Sequence, residues 1–274
     1  MNKGNKLYEI SGRIIVYAYA GFLLIPMYFI VMAALKTGAD ITVNPLGFPS
    51  KIMFSNFSEA FVKGNLARCG LNSIIVTVSS VTLNILSAII VTFGLHKLSN
   101  RRVGTILYGL IIATMMVPGV GWVAYIIMMQ KLHLYNSLLG LILPSAFGLP
   151  FNVFILLGFM RGIPKDFEDA ATIDGCTDFQ DLFYIIVPLV KPALTALGIF
   201  AFVGSWNNMF GPLLIIRDKN LYTLPLGILA FKGSYSVKYN LLFAAVFIAT
   251  APLVVLYLRF QDNFIEALSG GIKG

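Results

Sequence analysis

Six stretches of the chain, 14–35, 71–95, 103–127, 138–160, 193–216 and 240–258, contain no Asp, Glu, Lys or Arg. Each is close to the roughly 20 residues that carry a helix across the hydrocarbon of a bilayer. The pattern predicts an all-α, polytopic membrane protein with six transmembrane helices. The first stretch is longer than the apolar core of a cleavable signal, about 7–15 residues, and reads as an uncleaved span. Pro118, Gly119 and Gly121 interrupt the third stretch, and Pro144 and Pro150 fall in the fourth. Such breakers inside a span kink it or divide it into half-helices.

Polar segments lie between the spans. Residues 36–68, rich in Asn, Pro and Gly, predict an extramembrane loop with a short helix around 57–62. His96 to Arg102 is a tight basic turn, and short basic turns favour the cytoplasmic side. With six spans, that turn places both termini in the cytoplasm, and with them residues 161–192. There the acids gather: Asp166, Glu168, Asp169, Asp174, Asp178 and Asp181. The segment reads as two short helices folded against each other. Asp166 is the expected N-cap of the first, with Phe167, Ala170, Ala171 and Asp174 on one face. Gly175 stops it in the left-handed conformation that glycine adopts without strain. Thr177 with Gln180 forms a capping box for the second helix, whose apolar face is Phe179, Leu182, Phe183 and Ile186. Pro188 and Pro192 mark its end.

The string Asp169-Ala170-Ala171-x-x-x-Gly175, then Ile185-x-Val187-Pro188 after nine residues, resembles the EAA motif E-A-A-x3-G-x9-I-x-L-P. That motif belongs to membrane subunits of bacterial ABC importers. Asp169 stands for its Glu and Val187 for its Leu, with the spacing intact. The longer form D-A-A-x-I-D-G and the ending Gly271-Ile272-Lys273-Gly274 are similar to the maltose-type carbohydrate permeases. The resemblance implies the type I importer fold. It also implies a hairpin that seats in a groove of a cytoplasmic ATPase, with Glu168, Asp169, Ala170, Ala171, Asp174 and Gly175 as its coupling residues. On the hairpin acids, solvation and ATPase contact are both open readings. The resemblance further implies a second permease subunit, two ATPase subunits and an extracellular solute-binding protein. Tyr222, Tyr235 and Tyr239, in the loop 217–239, would touch the binding protein; tyrosines at a membrane end also serve as interfacial anchors. The C-terminal tail would reach between the ATPases.

Composition agrees with a membrane domain: 58% hydrophobic and 12% charged residues, with a mean hydropathy of +0.83. The net charge of +8 is spread over segment ends, with no basic run or finger spacing, so nucleic acid is not an expected partner. Cys69 and Cys176 fall on opposite faces in this topology and are expected as free thiols. No phosphate-binding G-x4-G-K-[ST] loop occurs, and the spans carry no ionisable group to hold a coupling ion. His96 and His133 stand alone, with no H-E-x-x-H or G-x-S-x-G string, so no enzyme constellation is present. The chain is expected to bind no cofactor, with ATP and Mg on the partner ATPases.

A substrate path needs polar groups facing the bundle interior. Ser205, Trp206, Asn207 and Asn208 are the first candidates, because an aromatic ring beside uncharged amides suits a sugar; Asn152, Asn84 and Trp122 are weaker ones. Interhelical hydrogen bonding is the competing role for any of these asparagines. No repeat or linker divides the chain, which predicts a single permease domain over residues 1–274. The expected function is half of the translocation path for a sugar or oligosaccharide, with a glycerol phosphate or other organic solute, or an independent secondary carrier, as alternatives.

Overall fold

The structure, a computed structural model, describes residues 3–98, 100–116, 121–233 and 237–270. Among the described residues it is helical, apart from one isolated antiparallel bridge between Lys232 and Val237. The elements in order are α1 (Lys3–Ala34), α2 (Gly38–Val43), α3 (Ser55–Lys63), α4 (Leu66–Lys97), α5 (Arg101–Ala113), α6 (Trp122–Lys131) and α7 (Leu139–Ile142). A 3-10 turn, Leu143–Phe147, leads to α8 (Pro150–Arg161), α9 (Lys165–Ile173) and α10 (Asp178–Gln180). A π-helical segment, Asp181–Ile186, joins α10 to α11 (Val187–Leu189). Then come α12 (Lys191–Trp206), α13 (Phe210–Ile215), α14 (Leu224–Ile228) and α15 (Tyr239–Gly270).

Among the described residues, three uninterrupted helices are long and apolar enough to cross a membrane: Gly12–Ala34, Leu66–Lys97 and Tyr239–Gln261. Two further pairs qualify only if each bent pair is one span: Leu139–Phe147 with Pro150–Arg161, bent by 44°, and Asp178–Leu189 with Lys191–Trp206, bent by 80°. The fourth expected span is therefore broken, at the residues Gly148 and Leu149 that precede Pro150. The third appears as α5 and α6, and Pro118 and Gly119 lie outside the described residues. The fifth, expected as one helix over 193–216, ends at Trp206 and resumes at Phe210 as α13. Asn207 is the C-cap of α12, and Asn208 caps the next turn by accepting a bond from Gly211 N at 3.1 Å. Short amides of this kind offer the backbone an alternative to the helical ladder.

The chain groups into two compact units. One comprises 1–67 with 227–252, the other 68–226 with 253–274. In the first, the end of α1, α2, α3 and the start of α15 meet. Asn56, buried on α3, donates to the carbonyls of Ala34 and Lys36 at 2.8 Å each and accepts from Asn240 Nδ2 at 2.9 Å. The amide thereby satisfies carbonyls left free at the end of α1. Lys36 is fully buried, with Nζ donating to the carbonyls of Asn44 at 2.5 Å and Pro45 at 3.2 Å. Edge-on ring pairs, Phe29 with Phe243 at 5.2 Å and Phe57 with Phe247 at 5.7 Å, complete this packing. The preceding part of α1 exposes Ile14, Ile15, Tyr17, Phe22 and Leu24 around the helix. A helix apolar on all sides belongs in lipid or inside a larger assembly.

In the second unit the core joins α4, α8, the π-helical segment and α12 through Ala88, Phe93, Leu156, Met160, Leu182, Ile186 and Leu197. Along α4, Ser73, Thr77, Ser80, Asn84, Ala88 and Thr92 recur every three or four residues and are all buried. Small and hydroxylated residues in such a stripe let helices approach closely in a membrane.

Candidate functional site: a clamped hairpin and a polar cavity

The hairpin forms where the sequence places it, with one shift at its start. Pro164, in extended conformation (φ −58, ψ 135), is the N-cap of α9, so Asp166 is not the cap but sits in the first turn. A carboxylate there still favours the positive end of the helix dipole. At the other end Gly175 has φ +73. Gly175 N donates to Thr172 O at 3.2 Å and Cys176 N to Ala171 O at 2.9 Å, a Schellman pair that closes α9. Both bonds of the capping box are present, Thr177 N to Gln180 Oε1 and Gln180 N to Thr177 Oγ1. The second helix widens into a π turn before Pro188 and bends by 80° at Val190. A ring at Pro188 would clash with the carbonyl four residues back in a regular α-helix, and the wider turn relieves that clash.

Burial divides the hairpin into an inner and an outer side. Ala171, Leu182 and Ile186 are buried and Phe183 is half-buried. Phe179, expected on the apolar face, is 70% exposed and tilted against Phe183 at 4.5 Å. Asp166, Asp169, Ala170, Asp174 and Asp178 are exposed, interleaved with exposed Ile173 and Tyr184.

Glu168 points inward instead. Its Oε1 lies 2.8 Å from His96 Nε2, and its Oε2 accepts from Lys97 Nζ at 2.8 Å. The same Nζ lies 2.7 Å from Asp181 Oδ2. One ammonium at the end of α4 therefore holds both helices of the hairpin, α9 through Glu168 and the second helix through Asp181. Burial raises the Glu168 pKa, but the hydrogen bonds and charges of Lys97 and His96 more than offset it, and the carboxyl lies below its ordinary value. Asp181 is 4% exposed, and its Oδ1 has no hydrogen-bond partner. The position of Lys97 was not legible as a site; only its place at the end of a basic turn was.

The second feature is a cavity of about 510 Å³ lined by α4, α8 and α12, with residues of α6, α7 and the 3-10 turn and with Asn208 after α12. Its polar wall comes from Ser80, Asn84, Ser145, Asn152, Ser205 and Asn208, and its apolar wall includes Tyr125, Phe151 and Phe200. Among the described residues, no charged side chain lines it. Asn152 Nδ2 donates to Asn84 Oδ1 at 2.6 Å, and Asn84 donates to the carbonyls of Ser145 at 2.8 Å and Gly148 at 3.3 Å. These two asparagines thus hold the broken fourth span as well as facing the cavity. Of the other candidates, Ser205 and Asn208 line it. Trp206 is buried and stacked on Phe202 at 5.7 Å, Asn207 is exposed away from it, and Trp122 stacks on Phe210 at 5.9 Å. Tyr125, Phe151, Ser80 and Ser145 were missed. The spacing of Ser80 and Asn84 on one face of α4 was the signal that would have found part of this wall. In the loop 217–239, Tyr222 is half-buried, with its carbonyl accepting from Asn72 Nδ2 at 3.0 Å; Tyr239 is exposed and stacked on Phe243. Tyr235 lies outside the described residues, as does the end of the tail, 271–274.

Residues 84–269 match the family described as binding-protein-dependent transport system inner membrane component. The chain belongs to this family. It is 34% identical over 272 residues to the sulfoquinovosyl glycerol transport system permease protein SmoH of Agrobacterium fabrum, covering 96% of this chain and 95% of that protein. The arabinooligosaccharides transport system permease protein AraQ of Bacillus subtilis is 30% identical over 276 residues, covering 98% and 97%. Among solved structures, a chain of a bacterial ABC transporter involved in the import of the acidic polysaccharide alginate superposes with a TM-score of 0.85 at 21% identity, over 96% of this chain and 99% of that one. The fold is that of the type I importer permease, and the protein is a multi-pass membrane permease subunit.

Proposed function

We propose that this permease forms half of the translocation path of an ATP-driven importer for a sugar or oligosaccharide. ATP is hydrolysed by separate subunits that bear on the hairpin 161–192. The observation that carries the reading is the hairpin itself: its inner side is locked to α4 through Lys97, while its outer side presents small, acidic and apolar residues to a partner. A rigid attachment of this kind transmits a push from outside into α4 and α12. Asp169, Ala170, Asp174 and Gly175 are the contact residues in this account, Ala171 packs the hairpin's inner side, and Glu168 acts through the clamp.

The uncharged cavity, with amides and hydroxyls beside aromatic rings, suits hydroxyl recognition and stacking. Relatives named for sulfoquinovosyl glycerol, diacetylchitobiose and arabinooligosaccharides support a carbohydrate as the class. The described residues of the lining are uncharged, which suits a neutral solute better than a phosphorylated one. A second permease subunit, two ATPases and an extracellular binding protein complete the assembly, with both termini and the hairpin in the cytoplasm and the whole chain acting as one permease domain. Reconstitution with those partners in proteoliposomes tests this: uptake of a labelled oligosaccharide should require ATP and the binding protein. Uptake without nucleotide would leave a secondary carrier as the better account.

A further inference from the structure

A second large cavity, of about 730 Å³, lies at the other end of the same helices, between the end of α4, the first turns of α5, and the segment joining α8 to α9. Two cations line it, Arg161 and Lys165, with His96 alongside. His96 is engaged with Glu168, whereas neither Arg161 nor Lys165 is within ion-pair distance of a carboxylate among the described residues. The Arg161 guanidinium is held 5.5 Å over the Tyr108 ring. Leu95, Leu98 and Leu157 also line it, together with Gly104, Thr105 and Tyr108. Two unpaired cations in a cavity also lined by leucines, at the depth where apolar helices give way to a basic turn, match a charged headgroup joined to hydrocarbon.

We propose that this cavity binds the phosphate headgroup of an anionic phospholipid, with Arg161 and Lys165 on the phosphate and the leucines against the glycerol and upper acyl carbons. Basic pockets between helices at a membrane face take such headgroups. A free phosphate shares the charge chemistry but gains nothing from the leucines. The site does not depend on which solute the permease carries.

Native mass spectrometry of the full chain in detergent, titrated with phosphatidylglycerol or with phosphatidylcholine of the same acyl chains, tests the assignment. At roughly a five-fold contribution per cation, Arg161→Gln with Lys165→Gln should lower the preference for phosphatidylglycerol about 30-fold. The charge-matched pair Lys191→Gln with Lys219→Gln, outside the cavity, should leave it unchanged. If the double variant does not fold, Lys165→Gln alone, at an exposed position, should lose about five-fold. An equal loss in the control pair, or no loss in the cavity variants, overturns the proposal. Displacement of the lipid by millimolar inorganic phosphate would show a soluble anion site instead and overturn it too.

Discussion

Replacing Lys97 by Met should release the hairpin while leaving the spans inserted. Lys97 Nζ is 2.8 Å from Glu168 Oε2 and 2.7 Å from Asp181 Oδ2, with side-chain exposures of 30%, 17% and 5% for the three residues. At an effective dielectric of about 20, opposite charges about 4 Å apart attract by about 4 kcal/mol. Desolvation and the lost rotamer freedom of lysine offset much of that. Breaking a fully buried pair costs about 3–5 kcal/mol, and an exposed one about 0–1. With Lys97 partly exposed and Asp181 buried, about 2–3 kcal/mol of hairpin docking is lost. That corresponds to a rise of about 30- to 150-fold in the opened population. Hydrogen exchange of the full chain reads this directly in peptides spanning 165–190. The triple variant Lys97→Met, Glu168→Gln, Asp181→Asn should recover most of the protection, because the cost lies in stranded carboxylates rather than in the missing ammonium. Protection in Lys97→Met within two-fold of wild type would refute the clamp.

Four further outcomes follow from the structure. The Glu168 pKa is depressed in the fold, so its contribution to hairpin docking is present above the ordinary value of 4.5 and is lost as pH falls further, through the folded value; protection factors in the 165–190 peptides, each referred to intrinsic exchange at the same pH, should fall below pH 4.5. Gly175→Ala should destabilise the hairpin by about 1 kcal/mol, since φ +73 is left-handed and no atom lies within 4 Å of an added Cβ, so the cost is conformational alone; thermal melts and exchange should agree on that figure. Asn84→Leu leaves the carbonyls of Ser145 and Gly148 and the amide of Asn152 without their partner, and should cost about 1–3 kcal/mol of stability. Asn208→Ala removes the acceptor of Gly211 N and should cost about 0.5–2 kcal/mol of stability, and it should weaken solute transport per folded protein.

The hairpin was legible because its signals are local. A glycine at C′, a hydroxyl three residues before a glutamine, and two prolines each act within one helical turn. The breaks within spans were less so. Pro144 and Pro150 announce the bend before α8, but the interruption after Trp206 involves the Asn208 amide accepting from Gly211 N, which periodicity does not distinguish from a path-lining amide. Trp206 shows the same limit: an aromatic ring on a polar stretch reads as a ligand contact, and it is packed on Phe202 instead. The clamp was hidden for another reason. Lys97 and Glu168 are 71 residues apart, and Glu168 looks like any acid on an exposed helix until tertiary packing brings α4 beneath it.

The central claim, that the hairpin's outer side carries the load from a separate ATPase, is tested most directly at Ala170, which is exposed while Ala171 is buried. Ala170→Arg places bulk on the outer side without disturbing the core. Co-purification of wild-type and variant chains with the ATPase subunit of the same importer is the measurement. Equal membrane insertion, with the ATPase retained by the wild type and lost by the variant, is the predicted result. An ATPase bound equally to both, or to neither while solute still crosses without nucleotide, would contradict the account.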